Sequence, residues 1–336
     1  MEKRINWGII APGRIAHRFA QSFSAIEDGN LFAVASRNTE RAESFAQQYD
    51  IDCVMDSYEE LIQHPDIDVI YIANPHRYHH ETVKQCLMAG KAVLCEKPLT
   101  VTAQQSIELF ELARTQQVFL MEAVWSRFLP CWIQVKQWLN EGLIGDIQLL
   151  RSSFGFQPTK DSTDRLFDLN LAGGALLDTG IYNIALSEFV LGRQPDNIQS
   201  AVLIGETGVD ERCSVTMDYG EVTSQFTCTF LSCLDNEFHI VGEKGTIIVA
   251  GNFWDAKKAT LKTNVGEVLV CDKPHRASGF EYQVEEVHRC LKNEQLFSTN
   301  MTPEVTIANM QIMDQILHEA GIVFPFVERD LSAICE

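Results

Sequence analysis

The first third of the chain alternates short apolar runs with amphipathic stretches. A short apolar run predicts a strand, and apolar residues spaced three or four apart predict a helix. Strands are predicted at Ile5–Ile10 and at residues 31–35, 68–73, 92–95 and 118–121. Helices are predicted between them: one with Ile15, Phe19 and Phe23 on a single stripe, one over Thr39–Tyr49 with Thr39 as its cap, and two over residues 81–88 and 102–115. This alternation predicts right-handed crossovers and a parallel, doubly wound sheet.

Beyond residue 122 the pattern is dominated by strands. Helices are predicted only near residues 129–140, from Gly173-Gly174 to about Leu191, and over residues 303–320, the last packing back on the body. Strands are predicted at residues 147–156, 198–206, 212–219, 222–231, 237–241 and 246–250, with hairpin turns at 219–221 and 242–245. The second part, residues 123–336, is therefore predicted to be an α+β domain with a large, mostly antiparallel open sheet. The open face of such a sheet is a candidate homodimer interface.

Composition excludes several classes of protein. Apolar residues make up 46% and charged residues 22% of the 336 residues, which is typical of a globular chain. The net charge of −19 and the pI near 4.9 disfavour binding to nucleic acid or to an anionic membrane. No apolar run is long enough for a membrane span, and the first residues enter a strand directly, with no room for a signal peptide. The ten cysteines form no CxxC pair, so we expect reduced thiols in a cytoplasmic protein.

The turn after the first strand is the first chemical signal. Ligands of a doubly wound sheet bind beyond the carboxyl ends of its strands. Ala11, Gly13 and Ala16 occupy the three positions of the dinucleotide fingerprint G-x-G-x-x-G/A. We expect the segment Ala11-Pro12-Gly13-Arg14-Ile15 to contact a pyrophosphate at the helix N-terminus. The alternative is a tight strand–helix turn without a ligand. The fingerprint makes residues 1–122 a predicted Rossmann dinucleotide-binding domain.

The end of the second strand indicates which cofactor is bound. NAD-preferring sites carry an acidic residue there for the ribose hydroxyl. This chain has Ser36 and Arg37, with Arg41 one helical turn later, and guanidinium groups can pair with the 2′-phosphate of NADP. The alternative is that both arginines are solvated surface charges. We therefore expect NADP, with NAD less favoured.

The segment Lys91-Ala92-Val93-Leu94-Cys95-Glu96-Lys97-Pro98 is a strand that ends in a charged pair and a proline. It is expected to direct Glu96 and Lys97 out of the carboxyl edge of the sheet, where a nicotinamide would lie. Pro98 restricts the preceding residue and favours a fixed peptide, trans or cis. A lysine beside a cofactor can move protons, although Glu-Lys-Pro after a strand is most often a surface turn.

These residues resemble the signature of the glucose–fructose oxidoreductase/inositol dehydrogenase family, Gfo/Idh/MocA. Further blocks at residues 7–10, 119–128, 173–182 and 206–210 are similar to the dimeric dihydrodiol dehydrogenase branch, whose members also act as NADP-linked D-xylose 1-dehydrogenases. The resemblance runs from residue 5 to about 325. Its main departure is Ala11, where much of the family has glycine.

The block at residues 173–182 supplies further candidates. Asp178 and Tyr182 are four residues apart and are expected on one helix face, with the paired glycines letting the helix start close to a flat ligand. Taken alone, they are also typical of a helix-dipole acid and a buried tyrosine. The resemblance implies that Tyr182, where the wider family often has histidine, is the general base. Lys97 would lower the pKa of the phenol, and Asp178 would orient the lysine or the substrate.

Other candidates depend on the resemblance. It places His79 near the cofactor cleft and His76 on the nicotinamide side, in the segment that begins at Asn74. Three histidines in this segment could also suggest a metal site. Because the adjacent His79 and His80 point in different directions, we predict no bound metal. Around the substrate pocket it implies Trp125, Arg127, Phe154 and Trp254, residues that are otherwise typical of core packing.

The predicted function is NADP-dependent hydride transfer to or from a small polyol, sugar or trans-dihydrodiol. Two alternatives remain open. One is an NADP-sensing regulator of the same fold without catalysis, and the other is a reductase of a different sugar or inositol-like carbonyl. The retained Lys97, Asp178 and Tyr182 favour catalysis.

Overall fold

A computed structural model of the chain describes residues 4–327. The N-terminal strands are β1 (Ile5–Ile10), β2 (Gly29–Ala35), β3 (Cys53–Met55), β4 (Val69–Ile72), β5 (Ala92–Glu96) and β6 (Leu120–Ala123). The helices between them are α1 (Arg14–Ser22), α2 (Thr39–Tyr49), α3 (Tyr58–Gln63), α4 (His79–Met88) and α5 (Ala103–Gln116). The six strands form one parallel sheet in the order β3-β2-β1-β4-β5-β6. The predicted doubly wound sheet is confirmed.

Two details of this half differ from the sequence predictions. β3 and α3 were not predicted, because a three-residue strand and a six-residue helix are too short to show a period. The cap of α2 is Asn38, whose side chain accepts a hydrogen bond from the backbone N–H of Arg41. Thr39, the predicted cap, is the first helical residue; asparagine competes well with threonine for the capping position.

The C-terminal half forms an eight-stranded sheet. Its strands are β7 (Ile147–Gly155), β8 (Asn197–Ile204), β9 (Asp210–Asp218), β10 (Thr223–Thr229), β11 (Phe238–Gly242), β12 (Gly245–Val249), β13 (Lys258–Thr263) and β14 (Val268–Asp272). Their order is β14-β13-β12-β11-β7-β10-β9-β8, and the β7–β10 pair is parallel while the others are antiparallel. The predicted mostly antiparallel sheet and both predicted hairpin turns are confirmed. β13 and β14 lie beyond residue 250, where further strands were expected without stated bounds.

Helices cover one face of this sheet. They are α6 (Pro130–Asn140), α7 (Ile181–Leu191), α8 (Glu281–Lys292) and α9 (Pro303–Glu319). Along β7, Leu150, Ser152 and Phe154 point into this covered layer and are buried, whereas the alternate residues Arg151 and Ser153 point to the open face. Between residues 4 and 327, no helix combines the length and the apolar character that crossing a bilayer requires.

The last helices return to the N-terminal sheet, as predicted for α9. The carboxylate of Asp314 on α9 accepts the backbone N–H of Ala103 at the start of α5, at 2.7 Å. On α8, which was not predicted, Nε2 of His288 accepts the indole N–H of Trp7 at 2.9 Å. The buried apolar residues form two clusters, one on each face of the parallel sheet, and the larger continues under the eight-stranded sheet.

Candidate active site

The turn after β1 has the shape that a dinucleotide requires. Ala11 lies in the left-handed region with φ +63°, and the backbone N–H of Gly13 donates to its carbonyl at 2.7 Å. Gly13 is the N-cap residue of α1, and no side chain caps that helix. The helix N-terminus is thus open to a phosphate group, and the space beside Gly13 is free, since a Cβ there would meet only the backbone oxygen of Ala11, at 3.9 Å. The residues present fit a dinucleotide, although Ala11 adopts a conformation that glycine adopts more easily.

The second half of the cofactor edge lies at the end of β2. Ser36 is buried, and its hydroxyl accepts the backbone N–H of Asn38 at 3.1 Å. Arg37 and Arg41 are exposed and lie on the same side, near Tyr58. The guanidinium carbon of Arg37 is also 5.4 Å from the centre of the Tyr78 ring. Two cations therefore stand at the end of β2, where the described residues 35–38 include no acidic side chain.

Lys97 lies between the two halves of the chain. It follows β5 directly, and its peptide bond to Pro98 is cis. Its ammonium donates to the backbone oxygen of Asp178 at 2.5 Å and lies 3.5 Å from Oδ1 of the same residue. It also lies 5.0 Å from the centre of the Tyr182 ring. The structure thus brings Lys97, Asp178 and Tyr182 together, although they are 81 and 85 residues apart in the sequence.

Asp178 is ionised in this cluster. Burial alone would raise its pKa, but the charges of Lys97 and Arg165 outweigh burial and hold the pKa below its ordinary value. Both terminal nitrogens of Arg165 lie 3.1 Å from Oδ1 of Asp178. One carboxylate oxygen thus pairs with two cations.

The hydroxyl of Tyr182 has a different partner from the one expected. It accepts the indole N–H of Trp125 at 3.0 Å, while Lys97 faces the ring and not the oxygen. Burial raises the pKa of the phenol well above its ordinary value, and the charge of Glu96 adds to the rise. The largest influences that lower this pKa are the hydrogen bond from Trp125 and the charge of Arg18, and the expected effect of Lys97 stays a prediction. The phenol is protonated at neutral pH and so is a proton donor at rest.

The paired glycines before this helix are both in close contact with other parts of the chain. A Cβ on Gly173 would lie 2.6 Å from the backbone oxygens of Arg165 and Leu166. Gly174, with φ +121°, lies against Oδ1 of Asp210, whose other oxygen accepts the backbone N–H of Leu176 at 2.6 Å. Asp210 therefore holds the start of the segment that carries Asp178, which is a π-helix turn over Leu176–Gly180 before α7.

Glu96 is buried and not directed outward as predicted. Its Oε1 accepts the hydroxyl of Tyr71 at 2.5 Å, and burial raises its pKa. Glu96 and Lys97 are adjacent in sequence, so their side chains leave the strand on opposite sides. Only Lys97 faces the cluster.

The histidines of the segment after β4 contact backbone oxygens of the segments around the proposed cofactor edge. His79 is fully buried, and its two ring nitrogens lie 2.8 Å from the backbone oxygens of Pro98 and Asn74. Burial lowers its pKa to about 4, while the contacts with the two backbone oxygens act in the opposite direction. Nδ1 of His76 lies 3.0 Å from the backbone oxygen of Ala172, and the amide oxygen of Asn74 is buried without a hydrogen-bond partner among the described residues. That orphaned oxygen is a candidate contact for a ligand at the end of β4.

Aromatic side chains form a wall beside Tyr182. Phe154 and Trp254 stack at 3.4 Å between ring centres, and Phe154 lies 5.9 Å from the Tyr182 ring. Together with Trp125 they are next to the cluster, where the resemblance placed them. Arg127 is not part of this wall. Its guanidinium is buried and donates to Glu188 and to the backbone oxygens of Ala185 and Asn300.

Glu122 at the end of β6 supports the segment after Lys97. Its two oxygens accept the backbone N–H of Leu99 and the hydroxyl of Thr306, both at 2.9 Å. Burial raises the pKa of Glu122 to about 7 from an ordinary value of 4.5. The folded chain therefore favours the protonated form.

This shift predicts a pH-dependent contribution to stability. Because the folded pKa is raised, the contribution of Glu122 is full below about pH 4.5 and is lost as the pH rises through about 7. Between about pH 5 and pH 7 the loss of this contribution lowers the free energy of unfolding by about 2 kcal/mol. We expect Glu122→Gln to remove this part of the pH dependence in urea denaturation. The matched control Glu304→Gln, exposed on α9, keeps the wild-type slope; an unchanged slope in Glu122→Gln would contradict the assignment.

Sequence reasoning missed three charged residues at the site. Arg165 comes from an irregular segment without periodicity, and Glu122 ends a strand whose other residues are apolar. Arg18 is on α1 one turn after the cofactor fingerprint, and its partners are more than 100 residues away in the sequence. No local pattern identifies any of them. In the described part of the chain, no group of three or more His, Cys, Asp or Glu side chains is arranged to hold a metal ion.

Comparison with known proteins agrees with this geometry. The family model for the GFO/IDH/MocA oxidoreductases with an NAD-binding Rossmann fold matches residues 5–124, and the model for the GFO/IDH/MocA C-terminal domain matches residues 132–248. A trans-1,2-dihydrobenzene-1,2-diol dehydrogenase from Mus musculus is 37% identical over 334 residues, which is 96% of this chain and 98% of the mouse protein.

Two solved structures have a similar fold. A 3-ketoreductase from Actinomadura kijaniata, in complex with NADP and TDP-benzene, is 25% identical with a TM-score of 0.84, covering 94% of this chain and 98% of that one. A levoglucosan dehydrogenase in complex with NADH and levoglucosan is 18% identical with a TM-score of 0.83, covering 95% and 98%. These two neighbours hold different nicotinamide cofactors, so the comparison supports a nicotinamide site in general.

Proposed function

The chain belongs to the GFO/IDH/MocA oxidoreductase family, and from this membership we propose that it is an NADP-dependent dehydrogenase of a small polyol, sugar or trans-dihydrodiol. The observation that carries the proposal is the meeting of Lys97, Asp178 and Tyr182 at the carboxyl edge of the parallel sheet. A polar trio of this kind, next to an aromatic wall and an open helix N-terminus, fits a hydroxyl-bearing substrate beside a nicotinamide.

In this proposal, separate groups of residues bind the cofactor and line the substrate pocket. The turn at residues 11–15 would hold the pyrophosphate, and Ser36, Arg37 and Arg41 would hold the 2′-phosphate. A bound nicotinamide supplies the acceptor or donor of the hydride. Asn74, His76 and His79 line or support the same edge. Trp125, Phe154 and Trp254 form the apolar side of the substrate pocket and exclude water from it.

Proton transfer is assigned to the trio itself. Lys97 hydrogen-bonds the substrate oxygen, and Asp178 fixes the lysine by the contacts at 2.5 and 3.5 Å. Tyr182 takes the hydroxyl proton during oxidation and returns it during reduction. Because burial raises the pKa of this phenol, the protonated form that reduction needs is the stable one. Oxidation is therefore expected to speed up toward alkaline pH.

A substrate panel tests the proposal. Pentoses, hexoses, inositol and trans-dihydrodiols are offered with NADP and with NAD, and the nicotinamide absorbance is followed. We expect turnover of at least one compound, with a lower KM for NADP than for NAD because Arg37 and Arg41 occupy the ribose-reading position. Tight NADPH binding with no turnover of any compound would instead favour a cofactor-sensing protein.

We further propose that the enzyme is a homodimer that pairs through the open face of the eight-stranded sheet. That face presents Leu149, Thr227 and Ile248 half-buried on neighbouring parts of the sheet. We expect light scattering at micromolar concentration to give twice the chain mass of 37.9 kDa. Ile248→Arg on the face should yield monomers, whereas Met88→Arg, on α4 and 64% exposed, should not. A monomeric wild type would rule the interface out.

The nine described cysteines are free thiols, which supports a cytoplasmic location.

A further inference from the structure

A second cation lies near the proposed proton donor, on the helix that follows the cofactor turn. Arg18 projects from α1, and its guanidinium carbon is 4.4 Å from the centre of the Trp125 indole ring. The N–H of this indole donates to the Tyr182 hydroxyl at 3.0 Å. A single aromatic ring therefore connects Arg18 to the phenol.

The guanidinium is fixed by contacts with the C-terminal half of the chain. Its Nε and Nη2 donate to the backbone oxygen of Ser278 at 3.0 and 2.7 Å. Nη2 is also 2.9 Å from Oδ1 of Asp255, which directly follows Trp254 of the aromatic wall. Arg18 thus links the cofactor-binding helix to the substrate side of the site.

Asp255 has a second partner that keeps it in place. Its Oδ1 lies 2.6 Å from Nε2 of His275, a side chain only 3% exposed. Burial would raise the pKa of Asp255, but the hydrogen bonds from His275 and Arg18 and the charge of Arg18 lower it below its ordinary value. Asp255 is therefore an anion at neutral pH and holds Arg18 over the indole.

The indole itself has little freedom to turn. The Phe280 ring lies 4.8 Å from the Trp125 ring, centre to centre. Gly279 has φ +94°, and a Cβ there would lie 2.8 Å from Cζ3 of Trp125. The close backbone and the guanidinium together keep the indole N–H directed at the phenol oxygen.

A cation above an indole has two effects on the atom that accepts the N–H. The cation polarises the ring, so the N–H becomes a stronger donor, and a donor to a phenol oxygen stabilises the phenolate. The positive charge also acts directly on the phenolate through the low-dielectric interior. Both effects favour the deprotonated form that oxidation requires.

We propose that Arg18 is a positioning residue for Tyr182: acting through Trp125 and anchored by Asp255, it orients the hydroxyl and makes the phenolate accessible during oxidation. This rests on the proposed function and deepens it. It assigns to Arg18 the electrostatic part that the sequence had assigned to Lys97.

The charged groups around the phenol shift its pKa in both directions. Glu96 at the end of β5 and Asp178 on the preceding helical turn raise the pKa of Tyr182. The hydrogen bond from Trp125 and the charge of Arg18 lower it. Lys97 lies over the ring and pairs with Asp178. Removing Arg18 therefore takes away the cation that, among the largest electrostatic influences of the described residues, lowers the pKa of this phenol.

Three variants test the proposal with the full-length enzyme. Arg18→Met keeps the length and removes the charge, and Arg18→Lys keeps the charge. The matched control is Arg114→Met, because Arg114 on α5 also lies over an aromatic ring, 5.3 Å from the centre of Phe297, and pairs with Glu304 at 3.6 Å. Steady-state kinetics across pH are combined with heteronuclear NMR of the Trp125 indole N–H, assigned through its loss in Trp125→Phe.

We expect Arg18→Met to lower kcat for oxidation about tenfold and to shift the alkaline rise of kcat upward by about one pH unit. The KM for NADP should stay within about twofold, the indole N–H resonance should move, and Arg18→Lys should recover part of kcat. Arg114→Met should behave as wild type. An unchanged pH profile and an unchanged indole resonance in Arg18→Met would overturn the proposal. A wild type inactive on the whole panel would overturn the proposed function alone, since the indole resonance still reports on Arg18.

Discussion

Lys97→Met should lower turnover at least about a hundredfold while NADPH binding stays near wild type. The ammonium is the one group of the trio that is both held at the sheet edge and free to donate to a substrate oxygen. Methionine has nearly the same length and keeps the packing over the Tyr182 ring, so the variant removes charge and hydrogen bonding alone. The loss of acid–base and oxyanion assistance is typically of this size. Stopped-flow turnover and fluorescence titration with NADPH measure the two quantities.

The fold should survive this change, because Asp178 retains Arg165 as its counter-ion at 3.1 Å. A matched control is Lys136→Met. The ammonium of Lys136 also donates to a backbone oxygen, that of Phe189 at 2.7 Å, and lies 5.4 Å from an aromatic ring centre. None of the described contacts of Lys136 is with Lys97, Asp178 or Tyr182, so its loss should cost stability and leave turnover intact. Turnover of Lys97→Met within tenfold of wild type would remove the lysine from the mechanism.

The placement of Lys97 shows what a sequence can predict. Parallel strands all end at one edge of the sheet, so a residue that follows β5 must lie near the turn that follows β1. That inference needs only the order of strands and helices. The parallel sheet therefore followed from local pattern, and the structure confirms it. The role of Lys97 came from the family resemblance and stays a prediction.

The environment of the side chains was not predictable in the same way. Glu96 looked as exposed as Lys97 from the sequence, yet its burial depends on Tyr71, which comes from a different strand. The paired glycines suggested a nearby ligand, whereas Gly174 is required by the carboxylate of Asp210, 36 residues further on. Short elements such as β3 and α3 were missed because each spans fewer than two periods of the pattern.

Electrostatics depends most strongly on the tertiary fold. The sequence offered Lys97 as the cation that tunes the phenol, because it was the nearest cation in the family signature. In the folded chain the cation on the hydroxyl side is Arg18, which reaches the site through contacts with Ser278 and Asp255. A pKa depends on burial and on the sum of neighbouring charges, and neither is encoded in local spacing. The residues of a site can thus be identified from the sequence, whereas their protonation states depend on the tertiary structure.

Tyr182→Phe should lower turnover in both directions by about a hundredfold or more. Phenylalanine keeps the ring under Lys97 and against Phe154, so the pocket retains its shape. The change removes the only group of the trio that can exchange a proton with the substrate oxygen at that position. It also leaves the indole N–H of Trp125 without its acceptor, and a buried unsatisfied donor costs about 1–3 kcal/mol. Thermal unfolding and kinetics across pH measure the two effects separately.

Tyr219→Phe is the matched control for this prediction. Tyr219 is also buried, and among the described residues its hydroxyl donates only to the sulfur of Met217, at 3.9 Å. Its loss should change neither turnover nor the pH profile. The alkaline rise of the oxidation rate should disappear in Tyr182→Phe, because the group whose deprotonation produces it is gone. If the rise persists in Tyr182→Phe with the wild-type midpoint, the proton acceptor is a different group and Arg18 has no phenol to act upon.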